Sequence, residues 1–359
     1  MISEIIGTSV LGAADGRSWV TARTRAVGRI SLLFAALSIG AAIQVADAAD
    51  DEIKPAIIYD GHKFDKSFLE AMSVGADAFT KRTGVKVNDV EVTSASQREQ
   101  FLRQYATKGF SPVLATSFLM TTPLATVAKE FPKTHFTIID AVVDQPNVQS
   151  IVFREHEGSF LVGMLAALKT KTGKIGFVGG MDVPLIRKFE CGYEQGAKYV
   201  NPKIEILQNM TGTTVAAFDD PIRGGELAKT QIESGADVVY AAAGGTGIGV
   251  YQVVADAGKL AIGVNSNQDY LHPGNMLTSM LKRVDLATDR TFTQAKNGTW
   301  KPGVQVLGLA DDGVGFSVDE FNQKLLTPDI LAKADAARKG IIDGSIKVHD
   351  YTSDGSCPK

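Results

Sequence analysis

The sequence holds few of the residue combinations that carry out covalent catalysis. Its five histidines, at positions 62, 135, 156, 272 and 349, form neither an HExxH zinc motif nor a cluster with cysteine. A GxSxG nucleophile elbow and a GxxxxGK[ST] phosphate loop are also missing. The two cysteines, Cys191 and Cys357, are too few for a CxxC-type zinc site. We therefore expect no catalytic residues, no metal site and no cofactor.

One glycine-rich stretch could approach a ligand closely. Residues 242–249 follow an apolar run and open a helical pattern, and they contain four glycines. Glycines let the backbone come near a ligand, and a helix N-terminus offers free N–H donors. The spacing is not GxGxxG, however, and no acidic residue ends the next apolar run at 260–264. A dinucleotide-binding enzyme is therefore a poor match.

Small residues, most of them polar, recur where apolar runs end. In open parallel sheets, ligands bind beyond the carboxyl ends of the strands, so these positions are candidate ligand contacts. They are Asp60, Ser117, Asp140, Gly244 and Asn265. An alternative is that Asp60 and Ser117 only cap the helices that follow them.

The elements that would carry these residues alternate between strand and helix. Apolar, Val- and Ile-rich runs predict strands at 56–59, 112–115, 135–139, 174–178, 237–241 and 260–264. Helical periodicity predicts helices at 67–83, 96–108, 158–171, 184–200, 224–234 and 247–257, several of them closed by a glycine. Such alternation is typical of an α/β protein with parallel sheets.

The order of the elements predicts two lobes with a cleft between them. We assign 54–153 with part of 283–310 to an N-terminal lobe, and 154–282 with part of 311–345 to a C-terminal lobe. A helix at 285–296, a strand at 304–309 and a helix at 328–343 are too few for a third domain, and residues 346–359 form a tail. The short connections favour hinge strands that join the lobes.

The first 48 residues have the pattern of a cleaved secretory signal peptide. Four arginines without an acidic residue at 17–29 precede 14 uncharged residues at 30–43 and an Ala-Asp-Ala cleavage pattern at 46–48. The apolar run is too short to span a membrane. The sequence has no cysteine near this cleavage pattern, so nothing here indicates a lipid anchor. In an oxidising compartment, Cys191 and Cys357 either pair in a disulfide or remain separate thiols.

The composition narrows the class of partner. The 359-residue chain is 44% hydrophobic and 21% charged, which is typical of a globular protein. Its net charge of −3 provides no basic field for a phosphate backbone, so nucleic acid is not an expected partner.

Several stretches together resemble the basic membrane protein (BMP/PnrA-like) family of periplasmic substrate-binding proteins of ABC transporters, of the nucleoside-binding type. The likeness runs from residue 54 to about 343, and its motifs lie at 60–68, 136–143, 157–163, 243–249, 261–268 and 277–285. The resemblance implies a type I periplasmic binding protein fold, which closes on its ligand like a hinged clamp.

The resemblance also implies roles for individual residues. Phe68 and Phe218 would sandwich a purine ring, one from each lobe. Asp60 and Asp140 would accept hydrogen bonds from base or sugar. Gly244 would let the backbone come close to the ligand, and Lys282 would donate hydrogen bonds to sugar hydroxyls. The alternatives are that both phenylalanines belong to the core, and that Lys282 pairs with Asp285 on a solvated face.

Two positions depart from the family's pattern. The family usually has Asp where this chain has Asn265, and an amide suits two ribose hydroxyls less well than a carboxylate. A free purine base or related heterocycle is therefore an alternative to a nucleoside. Leu69 stands where the family has Asn, which would remove a polar contact at the cleft edge.

The expectation is a monomeric periplasmic binding protein that carries a purine nucleoside or base to a membrane ABC permease. Two alternatives belong to other classes. An exported nucleoside hydrolase would need a metal-binding acid cluster or a poised general base. A sensor-type binding protein for a sugar would need polar rather than aromatic walls.

Overall fold

Two six-stranded sheets form the framework of the molecule. The computed structural model describes residues 53–358, so the predicted signal peptide lies outside the described residues. The strands are β1 (Ala56–Tyr59), β2 (Asn88–Glu91), β3 (Val113–Ala115), β4 (Phe136–Ile139), β5 (Val148–Phe153), β6 (Lys174–Met181), β7 (Glu205–Gly212), β8 (Val238–Ala242), β9 (Leu260–Asn265), β10 (Met276–Lys282), β11 (Gly303–Leu307) and β12 (Val314–Phe316).

The strand order within each sheet confirms the predicted α/β architecture. The first sheet has the order β11-β5-β4-β3-β1-β2 and the second has the order β12-β10-β9-β8-β6-β7. Every pairing is parallel except that of β12 with β10. We call the halves built on these sheets the first lobe and the second lobe.

The helices between the strands follow the predicted alternation. They are α1 (Phe68–Thr83), α2 (Ala95–Thr107), α3 (Thr121–Glu130), α4 (Glu155–Lys169), α5 (Pro184–Val200), α6 (Pro221–Glu233), α7 (Gly247–Asp256), α8 (Val284–Lys296) and α9 (Pro328–Ile342). Gly84 ends α1 in the left-handed conformation, with φ 77°, and its N–H bonds Thr80 O. This geometry is the reason that glycine suits the position.

The sequence patterns missed strands whose residues are polar. Edge strands β2 and β7 are only partly buried, so neither shows the continuous apolar run of a central strand. β5 and β10 are interior but contain buried Gln149, Thr278 and Ser279. These side chains are hydrogen-bonded, as when Thr278 donates to Ser317 O at 2.8 Å. Such satisfied polar residues interrupt the apolar pattern without weakening the strand.

The chain crosses between the two sheets three times. It leaves the first sheet after β5, returns to it after β10, and leaves it again between β11 and β12. The backbone N–H of Arg154, at the first crossing, bonds Leu307 O at the third. The first and third crossings therefore lie side by side, as in a hinge between two lobes.

A disulfide joins Cys191 of α5 to Cys357 near the C-terminus, with Cα atoms 5.5 Å apart. The tail runs beside α5, where the Gln195 side chain accepts from His349 N and donates to His349 O at 2.8 and 3.0 Å. Of the two alternatives left open by the sequence, the bonded pair is the one observed.

Candidate ligand site between the lobes

The loop after β1 places Phe68 at the start of α1. Asp65 accepts hydrogen bonds from the backbone N–H groups of Ser67, Leu69 and Glu70, at 2.8–3.1 Å, and so satisfies free donors at this helix end. Burial raises the pKa of Asp65, and these three donors oppose the shift. Leu69 itself packs into the first-lobe core at 7% exposure. Its side chain therefore offers no polar contact at the cleft edge.

Asp60 and Ser117 follow neighbouring strands of the first sheet. Arg98 Nε donates to both Asp60 carboxylate oxygens, at 2.9 and 3.0 Å, and the Asp60 side chain is 2% exposed. Asp60 therefore pairs with an arginine and does not cap α1. Ser117 Oγ accepts from Leu119 N at 3.1 Å at the start of a short 3₁₀ helix. Ser117 therefore caps this helix as an acceptor, and its O–H donor has no acceptor among residues 53–358.

Asp140 and Lys282 bring the two lobes together. Asp140 follows β4 of the first lobe, Lys282 ends β10 of the second, and Lys282 Nζ lies 2.6 Å from Asp140 Oδ2. Asp140 has a left-handed backbone, with φ 67°. Its second oxygen, Oδ1, is buried and has no hydrogen-bond partner among the described residues. Burial raises the pKa of Asp140, against the opposing charge of Lys282.

A second carboxylate, Glu155, completes the surroundings of Lys282. Glu155 begins α4, and its Oε1 lies 2.9 Å from Lys282 Nζ, with both side chains 1% exposed. Burial opposes the charge on Lys282, but Asp140 and Glu155 hold its pKa above the ordinary value. Lys282 is therefore a buried cation. Asp285 pairs with Arg283, so the alternative that Lys282 pairs with Asp285 on a solvated face is wrong.

The buried charges continue from Glu155 towards the C-terminal tail. Lys188 Nζ lies 3.1 Å from Glu155 Oε2 and 3.2 Å from Asp350 Oδ2, and it donates to Phe153 O at 2.7 Å. Although burial opposes ionisation of Glu155, Lys282 and Lys188 hold its pKa below the ordinary value. Burial lowers the pKa of the neighbouring His156 to about 4, which keeps that ring neutral at neutral pH.

Phe68 lies against the Lys282 ammonium. Lys282 Nζ is 5.2 Å from the centre of the Phe68 ring, and the rings of Phe153 and Phe189 are at 5.1 and 5.6 Å. A cation this close to a ring face is attracted by the negative charge of the ring's π system. Phe68 is half-buried and also contacts the first-lobe core.

Phe218 occupies a closely fitted position in the second lobe. It ends a 3₁₀ helix, Val215–Phe218, and its ring packs on Gly180, where a Cβ atom would come within 2.3 Å of the ring. Thr211 and Thr246 donate to Ala217 O at 2.8 and 3.0 Å and fix this turn. Gly244, with φ 58°, lies next to the Phe218 backbone. The sequence motif at 242–249 thus supports the placement of Phe218.

Asn265 contacts the opposite lobe directly. Its Nδ2 donates to Ser67 Oγ at 2.9 Å, and Ser67 Oγ in turn donates to Val264 O at 3.2 Å. Gln268 Nε2 donates to Lys66 O at 2.8 Å in the same region. Asn265 has φ 68°, a conformation that Asn tolerates better than most residues. The amide nitrogen of Asn265 is therefore used between the lobes, and its oxygen is the acceptor that remains.

Sequence reasoning missed three residues of this region: Arg98, Glu155 and Ser67. Arg98 lies in the first turn of a helix whose preceding strand, β2, was not recognised. Glu155 lies between a strand and a helix that was predicted to begin three residues later. Acidic residues at 155 and 157 in the first turn of α4 were the available signal, because carboxylates favour a helix N-terminus.

Within residues 53–358, no helix is long and apolar enough to cross a membrane. The same residues contain no group of three or more His, Cys, Asp or Glu side chains that could hold a metal ion.

Comparison with known proteins gives matches along most of the chain. Residues 53–351 match the family model described as "ABC transporter substrate-binding protein PnrA-like". The ABC transporter nucleoside-binding protein BmpA of Lactococcus lactis is 32% identical over 83% of this chain and 89% of its own length. Basic membrane protein D of Borreliella burgdorferi is 34% identical over 81% of this chain and 86% of its own length.

A solved structure has the same two-lobed fold. The ABC transporter solute-binding protein from Aeropyrum pernix K1 superposes with a TM-score of 0.76 at 28% identity, covering 83% of this chain and 93% of that one. Because the family model spans most of the chain and these relatives match along nearly their whole length, this protein belongs to the PnrA-like family of ABC transporter substrate-binding proteins.

Proposed function

We propose that the protein captures a purine nucleoside or purine base between its two lobes and delivers it to a membrane ABC permease. The family supplies the general role, and the relative from Lactococcus lactis is named as nucleoside-binding. The ligand class and the delivery step are our inference for this chain.

The observation that carries the proposal is the meeting of Asp140 and Lys282 beside Phe68. An ammonium has three N–H donors, and Asp140 and Glu155 account for at most two of those on Lys282. Asp140 Oδ1 is a buried acceptor without a hydrogen-bond partner among residues 53–358. A buried polar oxygen is costly unless it is hydrogen-bonded, so a ligand donor at this point would stabilise the closed cleft.

Aromatic residues from the two lobes supply the stacking contacts with the purine ring in this proposal. Phe68 belongs to the first lobe and Phe218 to the second, and each is held by its own loop. In our proposal they stack on opposite faces of the purine, with Gly244 leaving room beside the second ring. Asp60, Ser117 and Asn265 contribute the remaining polar contacts from the ends of β1, β3 and β9.

We further propose that the protein works outside the cytoplasm as a monomer. The signal pattern at 1–48 supports export. Three relatives from Pyrococcus species are named lipoproteins, which supports an extracytoplasmic role in the family.

Titration calorimetry with nucleosides and purine bases, together with mass spectrometry of any co-purifying ligand, tests the proposal. Unchanged nucleoside or base in a tight complex supports it. Release of free base from an added nucleoside would instead support a hydrolase. Binding of sugars in place of purines would support the sensor-type alternative, and either of these results would overturn the proposal.

A further inference from the structure

Arg98 is a half-buried cation at the edge of the first sheet where the candidate ligand contacts lie. It occupies the first turn of α2, and its side chain is 15% exposed. Asp60, its partner, follows β1, and the Asp60 backbone N–H donates to Thr116 Oγ1 at 3.0 Å, next to Ser117. Arg98 therefore belongs to the same carboxyl edge as Asp60, Ser117 and Asp140.

Within the described part of the chain, the pairing leaves most of the Arg98 guanidinium without an acceptor. Only its Nε–H donates to a described residue, and it donates to both Asp60 oxygens. A guanidinium carries five N–H donors, so the four on Nη1 and Nη2 have no acceptor among residues 53–358. Other arginines of the chain use these groups. Arg103 Nη2 donates to Glu99 and Glu130, and Arg187 donates to Asp182 and Glu190 through both Nη atoms.

This arrangement fixes a rigid donor pair at the carboxyl edge of the first sheet. The buried carboxylate of Asp60 holds the guanidinium by its Nε edge, so the plane is oriented before a ligand arrives. A planar pair of N–H groups matches two adjacent acceptors on a flat ring, as in bidentate contacts of arginine with O6 and N7 of guanine. Adenine presents an amino donor beside N7 in place of the carbonyl.

We propose that Arg98 is a specificity-determining residue and that the cleft selects 6-oxopurines, of the guanine or hypoxanthine type, over 6-aminopurines. The inference rests on the proposed function, because it names the purine class that the same site takes. Arg98 donates to the ring carbonyl and the neighbouring ring nitrogen. A 6-amino group at that place would face the N–H donors without an acceptor, and sites built for a carbonyl reject such analogues.

Calorimetry with matched pairs tests this selection: inosine against adenosine, and hypoxanthine against adenine. The wild-type protein should bind the 6-oxo member on the order of 10-fold to 100-fold more tightly, the range expected for one bidentate contact. Arg98→Gln should reduce that ratio to about 1, mostly by weakening the 6-oxo ligand. The control is Arg103→Gln on the same helix, whose pairs with Glu99 and Glu130 are exposed. It should leave the ratio unchanged.

Two further variants protect the test against misfolding, since Arg98→Gln leaves the Asp60 carboxylate buried without its partner. Arg98→Lys keeps the charge but lacks the planar fork, and the Asp60→Asn/Arg98→Gln double variant removes both charges. Both should fold, by circular dichroism, and both should lose the selectivity. If neither purine type binds to the wild type, the proposed function fails together with this inference. If purines bind but the 6-oxo and 6-amino members bind equally, or the ratio survives in all Arg98 variants, only the role of Arg98 is overturned.

Discussion

At the scale of single residues, Lys282 shows how a charge can be kept in a nearly dry environment. Its ammonium lies within 2.9 Å of two carboxylates and 5.1–5.6 Å from three aromatic rings. Removing one member of such a group leaves another charge buried and unpaired, which typically costs 3–5 kcal/mol. Substituting Asp140, Glu155 or Lys282 alone should therefore destabilise the protein, because the remaining charges lose a partner.

Phe68→Ala and Phe218→Ala should each weaken purine binding by about 1–3 kcal/mol, the range for the loss of one base stack. Calorimetric affinity is the measurement. Phe131→Ala is a matched control, because Phe131 is also partly buried but follows α3, whose end lies at the opposite edge of the sheet. Unaltered affinity in both cleft variants would rule out the sandwich.

Asn265→Asp should raise the preference for nucleoside over free base, since a carboxylate can accept from two ribose hydroxyls. The structure adds a second effect. A carboxylate cannot donate to Ser67 Oγ, and Ser67 has a single O–H to give, so one of the two bonds that Ser67 Oγ makes across the lobes, with residue 265 or with Val264 O, would be lost for every ligand. The informative quantity is therefore the ratio of the dissociation constants for nucleoside and base, in which this common loss cancels. A ratio equal to that of the wild type would remove the inference about ribose.

At the scale of elements, Asp269 ties three segments of the second lobe together. Its carboxylate accepts from Ser279 of β10 at 2.7 Å, from Ser317 after β12 at 2.5 Å and from Asn322 at 2.8 Å. Burial raises its pKa to about 6, although the serine donors oppose the shift. The folded state therefore binds a proton here more tightly than the unfolded chain does.

The consequence is a pH dependence of stability with a defined sign. The contribution of Asp269 is present below its unfolded pKa and is lost as pH rises through about 6. The free energy of unfolding of the wild type, relative to Asp269→Asn, should fall by ~2 kcal/mol between pH 4.5 and 7. Urea titrations of both proteins across this range check the expectation. Parallel stability curves would contradict it.

Secondary structure was predictable from the sequence wherever the buried side chains of an element are apolar. β1 and α5 have the predicted bounds, Ala56–Tyr59 and Pro184–Val200, because each shows an unbroken pattern. Strands β5 and β10 were not predicted, since their buried polar side chains are satisfied only by partners distant in sequence, such as Gln149 by Lys301 O. The same limit applies to the site: strand ends indicated Asp60 and Asp140, but the pairing of Asp60 with Arg98 depends on tertiary contacts.

At the scale of the whole molecule, the disulfide closes most of the second lobe and part of the first into one loop. Cys191 and Cys357 are 166 residues apart in sequence. In the chain-entropy account, a loop of this size stabilises the folded state by about 4–5 kcal/mol. The Cys191→Ser/Cys357→Ser variant should lose up to that amount in urea unfolding.

Reductant provides the control for this prediction. It should lower the urea midpoint of the wild type and leave that of the double serine variant unchanged. A wild-type midpoint that equals the variant's under oxidising conditions would show that the bridge contributes nothing. Because the same tail carries Asp350 to Lys188, at 3.2 Å, some of the loss would come from that ion pair.

Some hydrogen bonds join the two lobes without involving the ligand. They affect how long a solute stays bound but not which solute is preferred. Ser67, Asn265, Lys66 and Gln268 contact one another across the cleft without a group from the ligand. Their free energy is the same offset for every compound on which the lobes close, and it drops out of any comparison between compounds. Residence time and selectivity can thus be changed independently. Changing Gln268 shifts how long every solute stays bound. Only side chains that face the solute change which solute is preferred.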